Sequence, residues 1–249
     1  MDDGVGIVER KFLSLKLPEE GFRFASGGVL KKIDVAYEEC GAPMRDDNVI
    51  YICHALTGDA HVAGIKPGET KPSGWWDAMI GPGRAIDTNR WHVICANVLG
   101  GCSGTTGPMS INPDTGKPYG SSFPQYTFSE SVEVFRMFLR QLGVKHLAAL
   151  IGGSYGGIQV MDWITRHPDE MDVAMLIATS ASLNTQALAF DVVGRSAITD
   201  DPDWKGGDYY LEGDGKGPKK GLASARQLAH ITYLSRELLQ DKFERKLQQ

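Results

Sequence analysis

Gly152, Ser154 and Gly156 stand at G-x-S-x-G spacing directly after the apolar run Leu147-Ala-Ala-Leu-Ile151. That run reads as a buried strand and the stretch from Tyr155 to His167, stopped by Pro168, as a helix, which places Ser154 on a sharp strand-to-helix turn. A serine at such a turn exposes its hydroxyl above the sheet and can attack a carbonyl carbon, forming an acyl-serine. Small neighbours are needed where the two backbones pass, and Gly152, Gly153, Gly156 and Gly157 are expected to supply that space. The N–H of Tyr155 opens the new helix and is a candidate oxyanion donor. A second donor is expected from the loop after an earlier strand, where Val49–Cys53 runs into His54-Ala-Leu-Thr-Gly-Asp59, and the Leu56 N–H is the candidate. His54 reads as a brace for that loop, with a general base as the alternative; His61 and His92 are weaker candidates for that role. A plain tight turn or a glycine-rich phosphate cradle competes for the motif, but no G-K-[ST] follows, so a P-loop is excluded.

Positioning these groups requires a βα framework. Strand-like runs occur at Val49–Cys53, His92–Ala96, Leu147–Ile151 and Ala174–Ala178. Thr127-x-x-Glu130 is a capping-box pattern before Phe135, Phe138, Leu139 and Leu142, predicting an amphipathic helix that ends at Gly143. Alternating strands and helices predict an α/β fold with a mostly parallel sheet and helices on both faces. Residues Asn97–Tyr126 are rich in Gly, Ser, Thr and Pro and too long for a passive connection, so they are expected to shape a site. Asp200–Gly221 reads as a linker into a helical pattern from Leu222 to about Leu247. The expected division is a core over 1–195, incomplete in its later strands, and a linker with the start of a helical cap over 196–249.

The 249 residues carry a net charge of −5 and are 42% hydrophobic, enough to bury a core without attracting nucleic acid or anionic membranes. No long apolar run or secretory leader is present, which predicts a cytoplasmic protein with no membrane partner. Cys40, Cys53, Cys95 and Cys102 form no C-x-x-C pair and read as reduced core thiols, and the six histidines show no metal-ligand spacing, so no metal is expected.

Four blocks, His54-Ala-Leu-Thr-Gly-Asp59, Asn97-Val-Leu-Gly-Gly-Cys-Ser-Gly-Thr-Thr-Gly-Pro108, Ile151-Gly-Gly-Ser-Tyr-Gly-Gly157 and Gly221-Leu-Ala-Ser-Ala-Arg226-Gln-Leu-Ala-His-Ile-Thr-Tyr233, together resemble the homoserine O-acyltransferases of the α/β-hydrolase superfamily. The resemblance covers nearly the whole chain. One departure is Tyr155, where that family more commonly has Met; the oxyanion role, being a backbone one, is unaffected. The resemblance implies a ping-pong reaction: Ser154 takes the acyl group from acetyl-CoA or succinyl-CoA, and the hydroxyl of L-homoserine then removes it, a step of methionine biosynthesis. No cofactor is bound permanently. It further implies that Arg226 holds the homoserine carboxylate with its bidentate fork and that Tyr233, two turns along, faces the same pocket. A surface helix charge is the alternative for Arg226 and a packed core aromatic for Tyr233, while Arg195 is a lesser carboxylate candidate. A homodimer of the full-length protein is implied as well.

The triad order of this fold is Ser, acid, His, on loops after successive strands. After Ser154 only one strand is legible, His167 ends a helix and His230 lies inside one, and no block matches the family segments that contribute Asp and His. The acid and base are therefore expected beyond residue 249, with the chain an N-terminal portion of a longer protein and nearly inactive alone. Competing readings are a succinyl-transferring enzyme, a serine or deacetylcephalosporin O-acyltransferase, an esterase, and a non-catalytic binding scaffold.

Overall fold

In the computed structural model, which describes residues 4–213 and 215–244, the chain divides into two compact units, the first ending at Ala181 and the second beginning at Ser182. The expected boundary at residue 195 falls inside a helix.

The first unit is built on six strands: β1 (Lys11–Ser14), β2 (Asp34–Gly41), β3 (Val49–Cys53), β4 (His92–Ala96), β5 (Leu147–Gly153) and β6 (Met171–Ile177). Their order across the sheet is β1-β2-β4-β3-β5-β6. The four strands β4, β3, β5 and β6 run parallel, and β1 and β2 add an antiparallel edge. Those two edge strands are additions to the strands read from sequence.

Helix α1 (Phe128–Gln141) starts where its capping box requires: the Glu130 N–H donates to Thr127 Oγ1 at 3.3 Å and the Thr127 N–H to Glu130 Oε2 at 2.8 Å. It and α2 (Tyr155–Arg166) bury their apolar stripes against one face of the sheet, with Tyr51 of β3 touching the rings of Phe135 and Trp163 at centroid distances of 6.3 and 5.8 Å. The opposite face, carrying Ile50, Ile52, Val93, Cys95 and Ile151, is covered in this unit by Ala60, Val62, Ala63, Ile80 and Ile86. Among the described residues of this unit, helices cover that first face, and the 60–91 segment closes the other with turns and a two-stranded ribbon, Ile80–Gly81 with Ile86–Asp87. Cys53 and Cys95 are core thiols as expected, whereas Cys40 is half-buried and Cys102 is exposed.

The second unit holds α3 (Thr185–Thr199), α4 (Lys219–Tyr233) and α5 (Arg236–Phe243). Helix α3 was not legible in the sequence. The single helix expected over 222–247 is interrupted: Leu234 is extended and Ser235 caps α5 through the Leu238 N–H at 3.1 Å. The end of that expectation, residues 245–249, lies outside the described residues. The segment read as a linker forms 3₁₀ turns over Pro202–Gly207, kinked at Lys205 and Gly206, and over Tyr209–Glu212, and Asp201 ties it to α4 by accepting from the Gly221 N–H at 2.8 Å. No strand follows β6 among the described residues.

Candidate active site

Ser154 joins β5 to α2 with φ 52° and ψ −118°, a left-handed conformation that costs a non-glycine residue about 1–3 kcal/mol. The turn is held by its surroundings. The Ser154 N–H donates to the Ile177 carbonyl of β6 at 2.9 Å, and its own carbonyl accepts from the Ile158 N–H at 3.2 Å. A Cβ on Gly156 would run into the Cys53 carbonyl at the end of β3, and one on Gly152 into the Gly156 carbonyl, so both positions demand glycine through backbone approach alone. Gly157 is needed as well, since a Cβ there would lie 2.6 Å from the Thr179 side chain. Gly153 departs from expectation: its nearest neighbour would be 3.9 Å away, so the turn does not require glycine there. Ser154 is exposed.

The turn after β3 stands beside this elbow. Leu56 and Tyr155 line one cavity of about 140 Å³ with Val98, Leu99, Cys102 and Tyr126, and neither Lys nor Arg is among its lining residues. Leu56 is 69% exposed. As the first residue of α2, Tyr155 has an N–H without an intrahelical acceptor. Its ring meets that of Phe128 at a tilt of 50°, centroids 4.9 Å apart, and its hydroxyl bonds with that of Tyr126, which donates to the Leu99 carbonyl; burial pushes the pKa of both phenols up, keeping them protonated.

His54 has no free nitrogen. The Val98 N–H, which can only donate, reaches Nε2 at 3.1 Å, so Nδ1 carries the proton and donates to the Ala55 carbonyl at 2.7 Å. Burial lowers its pKa and holds it neutral. This geometry favours the brace over the base, linking the loop after β3 to the loop after β4. Two residues that sequence reasoning passed over share that work. Asn97 accepts from the Ala60 N–H at 2.8 Å and donates to the Ser103 carbonyl at 2.9 Å, and Tyr126 holds Leu99 from beneath. An Asn immediately after a strand, opening a glycine-rich loop, was the available signal.

The other histidines of this unit are engaged elsewhere. His146 donates to Asp172 at 2.8 Å, but both sit where β5 and β6 begin, a strand length of roughly 20 Å from the end that leads to Ser154. His167 donates to Glu133 at 2.9 Å after all of α2, about 18 Å of helix from its start. His92 faces the Ala42 carbonyl and Glu39, whose pKa it helps to lower to about 2. His61 is buried between Glu38 on one side and Gly64 and Ser73 on the other. The Cys53 thiol, next to His54, is pushed up to about 12 by burial and is no competing nucleophile.

In the second unit, Arg226 and Tyr233 both stand exposed on α4, two turns apart. Tyr233 is 68% exposed. His230 lies on the same helix, against the Tyr233 ring at 6.5 Å. Arg195 on α3 borders a separate, mainly apolar cavity of about 580 Å³ with Trp204, Tyr209 and Leu222. Among the described residues no helix is long and apolar enough to cross a membrane.

Comparison with known proteins adds chemistry to this geometry. The profile of the alpha/beta hydrolase fold matches residues 48–247. The homoserine O-acetyltransferase of Methanosalsum zhilinae is 48% identical over 245 residues, 98% of this chain and 48% of that protein. Among solved structures, the homoserine O-acetyltransferase from Bacillus anthracis superposes with a TM-score of 0.86 at 30% identity, over 98% of this chain and 65% of that one. Esterase E22 superposes with a TM-score of 0.83 at 32% identity, over 94% of this chain and 64% of its own. The chain spans about half the length of the curated relatives it matches.

Proposed function

We propose, from the premise that this chain belongs to the alpha/beta hydrolase fold family, that the protein carrying it is an acyltransferase moving an acetyl group from acetyl-CoA to L-homoserine through an acyl-serine. The observation that carries the reading is the strained, exposed Ser154 within a sequence similar along almost its entire length to homoserine O-acetyltransferases. In the first half-reaction Ser154 Oγ attacks the thioester carbon, the C–S bond breaks, and CoA leaves as the thiol with the proton the serine gives up. In the second, the homoserine hydroxyl attacks the acetyl-serine carbon, the bond to Ser154 Oγ breaks, and the homoserine proton restores the serine hydroxyl. Both pass through a tetrahedral oxyanion, for which the Leu56 and Tyr155 N–H groups are the donors. Arg226 pairs with the homoserine carboxylate, and Tyr233 on the same helix face closes around it.

Acetyl is preferred to succinyl because the cavity beside the elbow is small and lined by no cation. The second carboxylate of a succinyl group would be desolvated there without a partner, which costs several kcal/mol. The location that goes with this reading is the cytoplasm. Two copies pairing through the second unit is supported by the exposed Leu188, Phe190, Val192 and Val193 of α3.

A second reading, hydrolysis of small acetyl esters, is favoured by the esterase E22 likeness. The two diverge at deacylation. With acetyl-CoA supplied to the protein as expressed from its own gene, free CoA should accumulate in proportion to added L-homoserine, with O-acetylhomoserine as the product. CoA release that is fast without homoserine and indifferent to it would establish the esterase instead.

A further inference from the structure

We propose that Arg10 is a positioning residue for acylation at Ser154, its guanidinium fixing the turn that presents the Leu56 N–H against the loop that follows β4; this rests on the reading of Ser154 as the acylated nucleophile. Arg10 lies just before β1 and reaches three separate stretches of chain. Its Nε and Nη2 donate to Glu38 Oε1 on β2 at 3.2 and 3.0 Å, Nη2 also meets Asp59 Oδ2 at 3.5 Å, and Nη1 donates to the Ser103 carbonyl at 3.2 Å. Asp59 ends the turn that contains Leu56, and Ser103 lines the same cavity as Leu56 and Tyr155. One planar group therefore joins Asp59, which follows Gly58 of the cavity lining, to Ser103 in that lining.

The surrounding bonds fit a device rather than a chance ion pair. Glu38 is 4% exposed, in mid-strand, and its second oxygen accepts from His61 Nδ1 at 2.6 Å, two residues after Asp59. Asp59 Oδ1 turns back to accept the His61 N–H at 2.9 Å, and its carbonyl accepts from Trp75 Nε1 at 2.9 Å. The far side of the turn is thus anchored, and residues 55–58 between the anchors are held by the Ala55 carbonyl, which accepts from the Gly58 N–H at 2.9 Å and from His54 Nδ1 at 2.7 Å. Where the Leu56 N–H stands depends on the anchors. A buried carboxylate inside a sheet is costly unless it is paired, and an arginine rather than a lysine is required to serve three acceptors in one plane. Because the oxyanion forms only in the transition state, a misplaced donor lowers the rate and leaves substrate affinity largely alone.

The test uses the protein as expressed from its own gene, with p-nitrophenyl acetate as acyl donor and the burst of p-nitrophenolate as the acylation rate. Arg10→Ala should slow acylation about 10- to 100-fold, less than deleting an oxyanion donor outright, with KM changed less than about threefold. Arg10→Lys should restore little of it. The side chain is 30% exposed and opens on a cleft of about 470 Å³ shared with Glu9 and Lys66, so millimolar ethylguanidinium should return part of the rate to Arg10→Ala and ethylammonium should not. Should Arg10→Ala fail to fold, Asp59→Asn carries the test: it weakens the outer contact and keeps the Glu38 pair, and should slow acylation by a smaller factor. A folded variant that acylates at the wild-type rate, a loss confined to KM, or full recovery with lysine overturns the proposal. A wild-type burst without transfer to homoserine would defeat the acceptor assignment and leave the role of Arg10 standing; no wild-type burst at all would overturn both.

Discussion

Replacing Ser154 by glycine and by alanine separates the strain of the elbow from its chemistry. At φ 52° and ψ −118° any side chain is strained, by about 1–3 kcal/mol, and alanine keeps that strain while glycine releases it. Glycine also loosens the unfolded chain, at a cost of about 0.4–1 kcal/mol. Ser154 is exposed, so losing its hydroxyl sacrifices no packing, and Ser154→Ala should stay within about 0.5 kcal/mol of wild type. The difference leaves Ser154→Gly about 1 kcal/mol more stable than Ser154→Ala, a rise of about 2–4 °C in Tm for a domain of this size. Calorimetry on the two variants and wild type reads the stability, and the p-nitrophenolate burst confirms that both have lost acylation. A Ser154→Gly protein no more stable than Ser154→Ala would refute the claim that the turn stores strain for function.

Gly156→Ala should cost about 3 kcal/mol or more by chemical denaturation, because its Cβ meets the Cys53 and His54 backbone and nothing flexible can yield, whereas Gly153→Ala should stay within about 1 kcal/mol. His54→Gln should destabilise by about 1–3 kcal/mol as its two bonds are lost. Because burial lowers the His54 pKa, its stabilising effect is full above the ordinary histidine value and fades as pH falls through the folded one; the variant should show a flatter decline in Tm below about pH 6.5. The Arg136 guanidinium, bonded to Glu170 at 2.8 Å, holds that carboxyl at about 2, so the pair stabilises fully above the free glutamate value and is lost between about pH 4.5 and 2. Glu170→Gln should lower stability at pH 7 by about 1–3 kcal/mol and narrow the gap to wild type by pH 2.5, as urea titrations at the two pH values would show. Arg226→Lys should raise KM for homoserine at least about tenfold with little change in the acylation burst, since lysine cannot reproduce a bidentate grip.

The elements around the elbow were legible because each signal is local. The Thr127/Glu130 capping box set the start of α1, Pro168 bounded α2, and continuous apolar runs marked β3, β4 and β5. Strand β2 was hidden because Glu38 and Glu39 interrupt its apolar run, and only the long-range partners Arg10, His61, Lys11 and His92 make those carboxylates tolerable in a sheet. Helix α3 was hidden for a related reason: it presents no buried stripe among its residues, so its sequence lacks a period to read. At the site, the motif residues and the brace at His54 were visible, but the brace's partner Val98 and the clamp at Arg10 lie up to 93 positions from the groups they hold, which spacing alone cannot reveal.

Intact mass after brief exposure to acetyl-CoA tests the central claim most directly. Wild-type protein expressed from its own gene should gain one acetyl group, Ser154→Ala should gain none, succinyl-CoA should label poorly, and L-homoserine should discharge the adduct. An adduct that survives in Ser154→Ala, or none on folded wild-type protein, would contradict acyl transfer through Ser154.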